Sequence, residues 1–218
     1  MPLSVTDTRH AFRPLSAEIV GQLRSLSVDD WNRPTVAGSW RVRDVVAHLV
    51  LTPQPPSPGR LLAGAVRVRG DFDRLNRDLA VAHADAAPAD LVAQLREHAG
   101  SRRRAVVTTY RNLHFDVLVH VQDIAVPLGR SVPMPVDAAR VGLERVWTMG
   151  WPFHARRELA GVRLTATDTD WAVGDGPGVR GPTEALLLLA TGRTAAALDR
   201  LAGPGVAQLA DRARVDRG

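Results

Sequence analysis

Asp116, His120 and Asp123 recur at spacings of four and three in Asp116-Val117-Leu118-Val119-His120 and the following Gln122-Asp123-Ile124. Residues three and four apart share one face of a helix, so this stretch sets a carboxylate, an imidazole and a second carboxylate in one stripe. A second imidazole, His48, lies close to the apolar face of an earlier helical stretch. Histidine nitrogen and carboxylate oxygen bind a zinc-like cation at about 2.0 to 2.2 Å, and three protein ligands leave a fourth position for water or substrate. His48, Asp116 and His120 have the donor types of such an open site. The Asp-x3-His spacing equally suits a plain helix-surface pair worth about 0.2 to 0.5 kcal/mol. A lone semi-buried histidine, in turn, is more often hydrogen-bonded than ligating.

Helices must position these residues. Leu15, Ile19, Leu23 and Leu26 mark the buried stripe of a first helix starting at Ser16, and Ser27 to Trp31 offers a Ser-x-x-Asp start for a short turn that Arg33-Pro34 breaks. Arg41 to Leu51 reads as a second helix, with Val42, Val45, Val46 and Leu49 apolar and His48 beside them. A Pro-rich connection from Pro53 to Pro58 leads to a long helical pattern over Leu61 to Ala82, bent at Gly70. Further helices are predicted over Asp90 to His98, over Leu113 to Leu128 with Gly129 as the stop, and over Val136 to Met149. Residues 1–151 thus read as a helical bundle. Beyond residue 152 the apolar period falls towards two through Leu159, Val162, Leu164 and Ala166. Asp170 to Gly181 has a hairpin signature around Trp171 and Val173, and helical patterns return over 182–189, 194–201 and 206–212. The expectation is a mainly α chain with a small α+β domain at 152–218.

The composition narrows the function classes. At 218 residues and 45% hydrophobic content the chain is long enough for one large domain or two modest ones. Its 28 basic residues are all arginine and exceed the 23 acidic ones by five. Spread along the chain, that excess lacks the concentrated stripe of a nucleic-acid partner. With no cysteine, thiol chemistry requires an external thiol and disulfides are excluded. The longest apolar run, Ala185 to Ala190, is too short to cross a bilayer. A soluble cytoplasmic protein with no membrane partner is the expectation.

The stretch Trp31-Asn32-Arg33-Pro34-Thr35-Val36-Ala37-Gly38-Ser39-Trp40-Arg41-Val42-Arg43-Asp44-Val45-Val46-Ala47-His48-Leu49 resembles the N-terminal signature of the mycothiol-dependent maleylpyruvate isomerase family, within the DinB-like metalloenzyme superfamily. Asp116-x3-His120-x2-Asp123-Ile124-Ala125 with Leu128-Gly129 is a second match. Leu159 to Leu164, and Gly181-Pro182-Thr183-Glu184 through Gly192-Arg193, resemble the family's small C-terminal domain. The resemblance implies a DinB-like four-helix bundle followed by that α+β domain. It implies a divalent cation, commonly zinc, held by a histidine on one helix and an acid-x3-histidine pair on another, positions matched here by His48, Asp116 and His120. Asp116 stands where the family usually has the longer glutamate. Arg41 stands where a threonine often caps the second helix, so that cap must come from elsewhere. Asp123 is either a carboxylate orienting a metal-bound histidine or the salt-bridge partner of an arginine. Arg193 stands where a family arginine would meet an anionic substrate, with capping of a backbone carbonyl as its other reading.

The activity so implied is a metal- and mycothiol-dependent isomerase or thiol transferase acting on a small electrophilic substrate. Two alternatives use the same residues. A noncatalytic ligand-binding protein with a degenerate metal site is favoured by the short Asp116, and a metal-dependent hydrolase would take Asp123 as its general base. Trp40 and Asp44 read as packing and helix N-terminal charge. His10, His83, His98, His114 and His154 read as solvated or structural, and Arg102-Arg103-Arg104 as a solvated run.

Overall fold

Ile19 and Leu23 are buried on a helical stretch, α1 (19–23), as the apolar spacing requires. The computed structural model describes residues 19–52, 57–69, 71–86, 90–98 and 110–215. The expected helix start at Ser16, the 53–56 part of the Pro-rich connection, His10 and the Arg102 to Arg104 run lie outside them. Among the described residues the chain is mainly helical, with one small sheet. Its contacts group Met1–Leu113 with His120–Val132 in one unit, and His114–Val119 with Pro133–Gly218 in another. Among the described residues no helix is long and apolar enough to cross a membrane.

In the first unit, α2 (Val28–Asn32) is started by a capping box. The Ser27 hydroxyl oxygen accepts the Asp30 N–H at 3.1 Å, and Asp30 accepts the Ser27 N–H at 3.2 Å. These bonds to Ser27 hold the Asp30 carboxyl below its usual range. α3 (Val42–Leu51) begins without a hydroxyl cap, and Asp44 supplies one from inside the first turn. Its Oδ2 accepts the Arg41 backbone N–H at 2.9 Å, while the Arg41 Nε and Nη2 donate to Oδ2 and Oδ1, both at 2.9 Å. Asp44 is only 1% exposed, and its hydrogen bond with the Arg41 guanidinium raises the pKa of that arginine. Val42, Val45, Val46 and Leu49 are buried as predicted, and α3 packs against α5 and α6.

The single long helix expected from Leu61 to Ala82 is two helices, α4 (Pro58–Arg67) and α5 (Phe72–Ala86). Arg69 adopts a left-handed φ of 55°, and the Asp71 side chain accepts the Arg74 N–H at 3.0 Å, starting α5 afresh. Leu62 and Val66, apolar residues of α4, are 68% and 71% exposed. α6 (Leu91–His98) buries Leu91 and Leu95. α7 (Tyr110–Ala125) ends in a tight turn over Val126–Leu128, and Gly129, with φ 62°, stops it. The Gln122 amide donates to the Val132 carbonyl at 2.8 Å behind that stop.

In the second unit, α8 (Val136–Met149) has the predicted bounds and packs on α10 (Thr183–Ala190). Gly142 makes room for this: a Cβ there would lie 3.1 Å from Phe115 and 3.2 Å from Leu187. A short helix, α9 (Ala155–Glu158), precedes β1 (Arg163–Ala166), β2 (Ala172–Val173) and β3 (Gly178–Gly181), in sheet order β2-β1-β3. The hairpin is formed by β1 and β2, antiparallel with Leu164 opposite Val173, while β3 runs parallel to β1 with Leu164 opposite Val179. Thus the Asp170 to Gly181 stretch, expected as a hairpin, contributes two strands that both pair with β1. Gly174 permits the tight return: its φ is 76°, and a Cβ would lie 2.5 Å from the Val162 carbonyl oxygen.

Asp168, in the β1–β2 turn, accepts the Thr183 N–H at 2.9 Å and the Thr183 hydroxyl at 2.5 Å, capping α10 from across the fold. Thr183 and residues 185–190 are all buried, and Glu184 pairs with Arg200. α11 (Thr194–Leu198) and α12 (Val206–Val215) follow, with α11 packing on both α10 and α12. Trp171 is buried with its indole N–H donated to Glu144 at 3.0 Å.

Because Asp44 alone replaces the missing hydroxyl cap of α3, Asp44→Ala should cost about 2 to 3 kcal/mol in chemical denaturation, from the lost cap and the lost charged hydrogen bonds. Asp44→Asn, which keeps an acceptor for the Arg41 N–H, should cost less. Equal losses in the two variants would contradict this account of the helix start.

Candidate metal centre

His48 is carried by the last turn of α3, and Asp116 and His120 stand one turn apart on α7. Each offers one ligand atom, and these atoms all lie within 4.8 Å of one another. The two imidazole centroids are 4.8 Å apart with their planes at 71°. Ligand atoms on a tetrahedral ion with bonds of about 2.1 Å are roughly 3.4 Å apart, so small side-chain adjustments suffice to share one cation. All three residues are partly exposed, which leaves the cluster open to solvent and small molecules.

The donor set fits a borderline cation: two imidazoles and one carboxylate, with no thiolate. Asp123, which is fully buried, faces His120. Its Oδ2 lies 2.7 Å from the His120 Nδ1. A carboxylate only accepts, so Nδ1 carries the proton and a metal bond to His120 would use Nε2. This is the contact that the histidine-orienting reading of Asp123 calls for.

Trp40, read from the sequence as packing, lies beside both imidazoles. Its ring centroid lies 5.6 Å from that of His48, at 84°, and 6.3 Å from that of His120, at 32°. An aromatic residue just ahead of a helix reads as packing, and only its place within the Trp31 to Leu49 motif could have drawn attention to it. His114 is turned away from the cluster and is structural: it is 2% exposed, with Nε2 3.0 Å from the Ala138 carbonyl oxygen. Burial pushes its pKa below the ordinary imidazole range, with that hydrogen bond opposing the shift. His83 sits 2.8 Å from the Gln94 side-chain oxygen.

Arg193 lies in the other unit, at the turn between α10 and α11, where Gly192 has a φ of 83°. Its Nη1 donates to the Thr191 carbonyl at 2.7 Å. This is the carbonyl contact weighed for it from the sequence.

The model of the mycothiol maleylpyruvate isomerase N-terminal domain family matches residues 12–109. No curated protein sequence matches the chain. Two crystal structures are similar in fold, one of mycothiol-dependent maleylpyruvate isomerase and one of a variant of it with a histidine replaced by alanine. They have 15% and 14% sequence identity and TM-scores of 0.54 and 0.55, and each comparison covers 93% of this chain and 93% of the other. At these identities the likeness is one of fold.

The Asp123 contact fixes which tautomer His120 adopts. In ¹⁵N NMR the neutral imidazole of His120 should carry its proton on Nδ1, and Asp123→Ala should restore the ordinary mixture of tautomers. An unchanged His120 spectrum in the variant would remove Asp123 from the site.

Proposed function

We propose, from the match of residues 12–109 to the mycothiol maleylpyruvate isomerase N-terminal domain model, that the chain is a metal-dependent, mycothiol-using isomerase or thiol transferase. Its substrate would be a small electrophile, as in maleylpyruvate isomerase. The observation that carries the reading is the convergence of His48, Asp116 and His120. The chain's lack of cysteine supports it too, because an external thiol then has no protein thiolate to compete with. No bilayer-spanning helix is described, and a cytoplasmic setting suits a chain without disulfides.

His48, Asp116 and His120 would hold the cation, zinc being the ion this donor set suits. When bound, the cation would favour the thiolate form of a thiol whose ordinary pKa is near about 8.5. Asp123 orients His120 and keeps its Nδ1 protonated. Arg193, with its planar guanidinium, would hold a substrate carboxylate by a bidentate pair. In the isomerase version the sulfur adds to a conjugated double bond, forming a C–S bond and leaving a single C–C bond free to rotate. Loss of the same sulfur then restores the alkene in the other geometry, with no net change in the thiol.

Asp116 favours a second reading. Its side chain is one methylene shorter than the usual glutamate, so a noncatalytic ligand-binding protein with a weakened site is the competing function. Purified wild-type protein should carry a divalent cation, and His120→Ala should lose it by at least tenfold in affinity. Turnover of an activated cis-alkene acid should require mycothiol. Metal retained by the variant would reject the ligand assignment, turnover without thiol would point to a hydrolase, and metal binding without turnover would favour the ligand-binding protein.

A further inference from the structure

Trp40 is held by its backbone on both sides. Its carbonyl accepts the Thr35 N–H at 2.8 Å, in a loop closed by the antiparallel bridge between Pro34 and Arg41. The next residue, Arg41, is fixed by Asp44 at 2.9 Å, and the Val42 N–H donates to the Arg33 carbonyl at 3.0 Å. Gly38 makes the loop possible with a φ of 74°. Such a frame fixes the backbone from which the indole projects. The ring meets His48 edge to face at 5.6 Å and lies tilted beside His120 at 6.3 Å, while the two imidazoles meet at 4.8 Å. The three rings form one cluster whose members restrict one another.

We propose that Trp40 is a positioning residue of the candidate metal centre: its indole packs against both His48 and His120 and holds the imidazoles where one cation can bridge them, so cation affinity depends on a residue that donates no ligand atom. The proposal rests on the metal reading above. A free imidazole rotates about two side-chain torsions and must lose that freedom when a cation binds. Trp40 removes part of that freedom beforehand for both histidines, which is how preorganisation raises affinity without adding a contact to the ligand. Asp123 cannot do the whole task, because it fixes His120 through Nδ1 and lies three residues along the same helix. Trp40 spans the two helices that carry the histidines. As an apolar wall it also lowers the local dielectric around any cation held there, strengthening the cation's attraction to the Asp116 carboxylate.

The test is a Co(II) titration of the full chain, followed both by the visible absorption of the bound ion and by tryptophan emission. In a chain with five tryptophans, binding should quench a distinct part of the emission in the wild type. Trp40→Phe should abolish that quenching while keeping affinity close to wild type, because it retains an aromatic ring. Trp40→Ala should weaken Co(II) binding by about tenfold, with far-ultraviolet circular dichroism checking the fold. Trp40→Leu, which keeps apolar bulk without a ring, should show the same weakening and replaces the alanine variant if that one fails to fold. Unchanged affinity in both ring-less variants, or undiminished quenching in Trp40→Phe, would overturn the proposal while leaving the metal reading intact. Failure of the wild type to take up Co(II) would overturn the metal reading, and the positioning role with it.

Discussion

A carboxylate removed from water is tolerated only when charge and hydrogen bonds replace its hydration, and Asp44 obtains both from Arg41. That exchange sets where α3 begins. Once α3 starts at Val42, Trp40 is left on the closing strand of the preceding loop and His48 falls on the last turn, beside the buried stripe of Val45, Val46 and Leu49. The arginines at the same end bind outward as well: Arg41 approaches Asp85 at 3.7 Å and Arg43 pairs with it, tying α3 to α5. One buried acid therefore determines the register of a helix and, through it, the place of an imidazole and an indole.

Much of this was legible in the residues. Val136 to Met149 carries an unbroken helical period between Pro135 and Gly150, and its bounds follow directly. The Ser27 box and the Gly129 stop are local chemistry that a sequence states plainly. Donor types and the four-residue step from Asp116 to His120 were equally plain, but the meeting of α3 with α7 is a tertiary fact that no periodicity contains; it was expected only through resemblance. Asp123 had two possible partners because an acid in an arginine-rich chain always has a nearby cation to consider. Three-residue spacing along one helix allowed His120 without deciding between the two.

The misreadings have physical reasons. The apolar period over Leu61 to Ala82 hides the break between α4 and α5, and a period reports only that one face is apolar: Leu62 and Val66 in α4 are exposed. Asp71 restarts the helix with a side-chain bond of a kind that apolar spacing does not register. In the C-terminal region the glycines around Asp175 looked like a hairpin turn. They serve instead to bring the backbone close to Val162 and Gly161, so that β3 can lie on the other side of β1. Pairing partners depend on such close approaches, which a sequence marks only as glycine.

The near-complete burial of α10 has a consequence for how the chain is made. From Thr183 to Ala190 only Glu184 is less than fully covered, so this helix has no face suited to water. As synthesis proceeds, α8 emerges ahead of it and is ready to receive it, but α11, which covers it further, comes only afterwards. Until then a Leu-Leu-Leu-Leu segment stands partly uncovered, the kind of surface on which nascent chains associate or chaperones act. A ribosome stalled just past Ala190 would therefore release a product whose fate is aggregation or degradation.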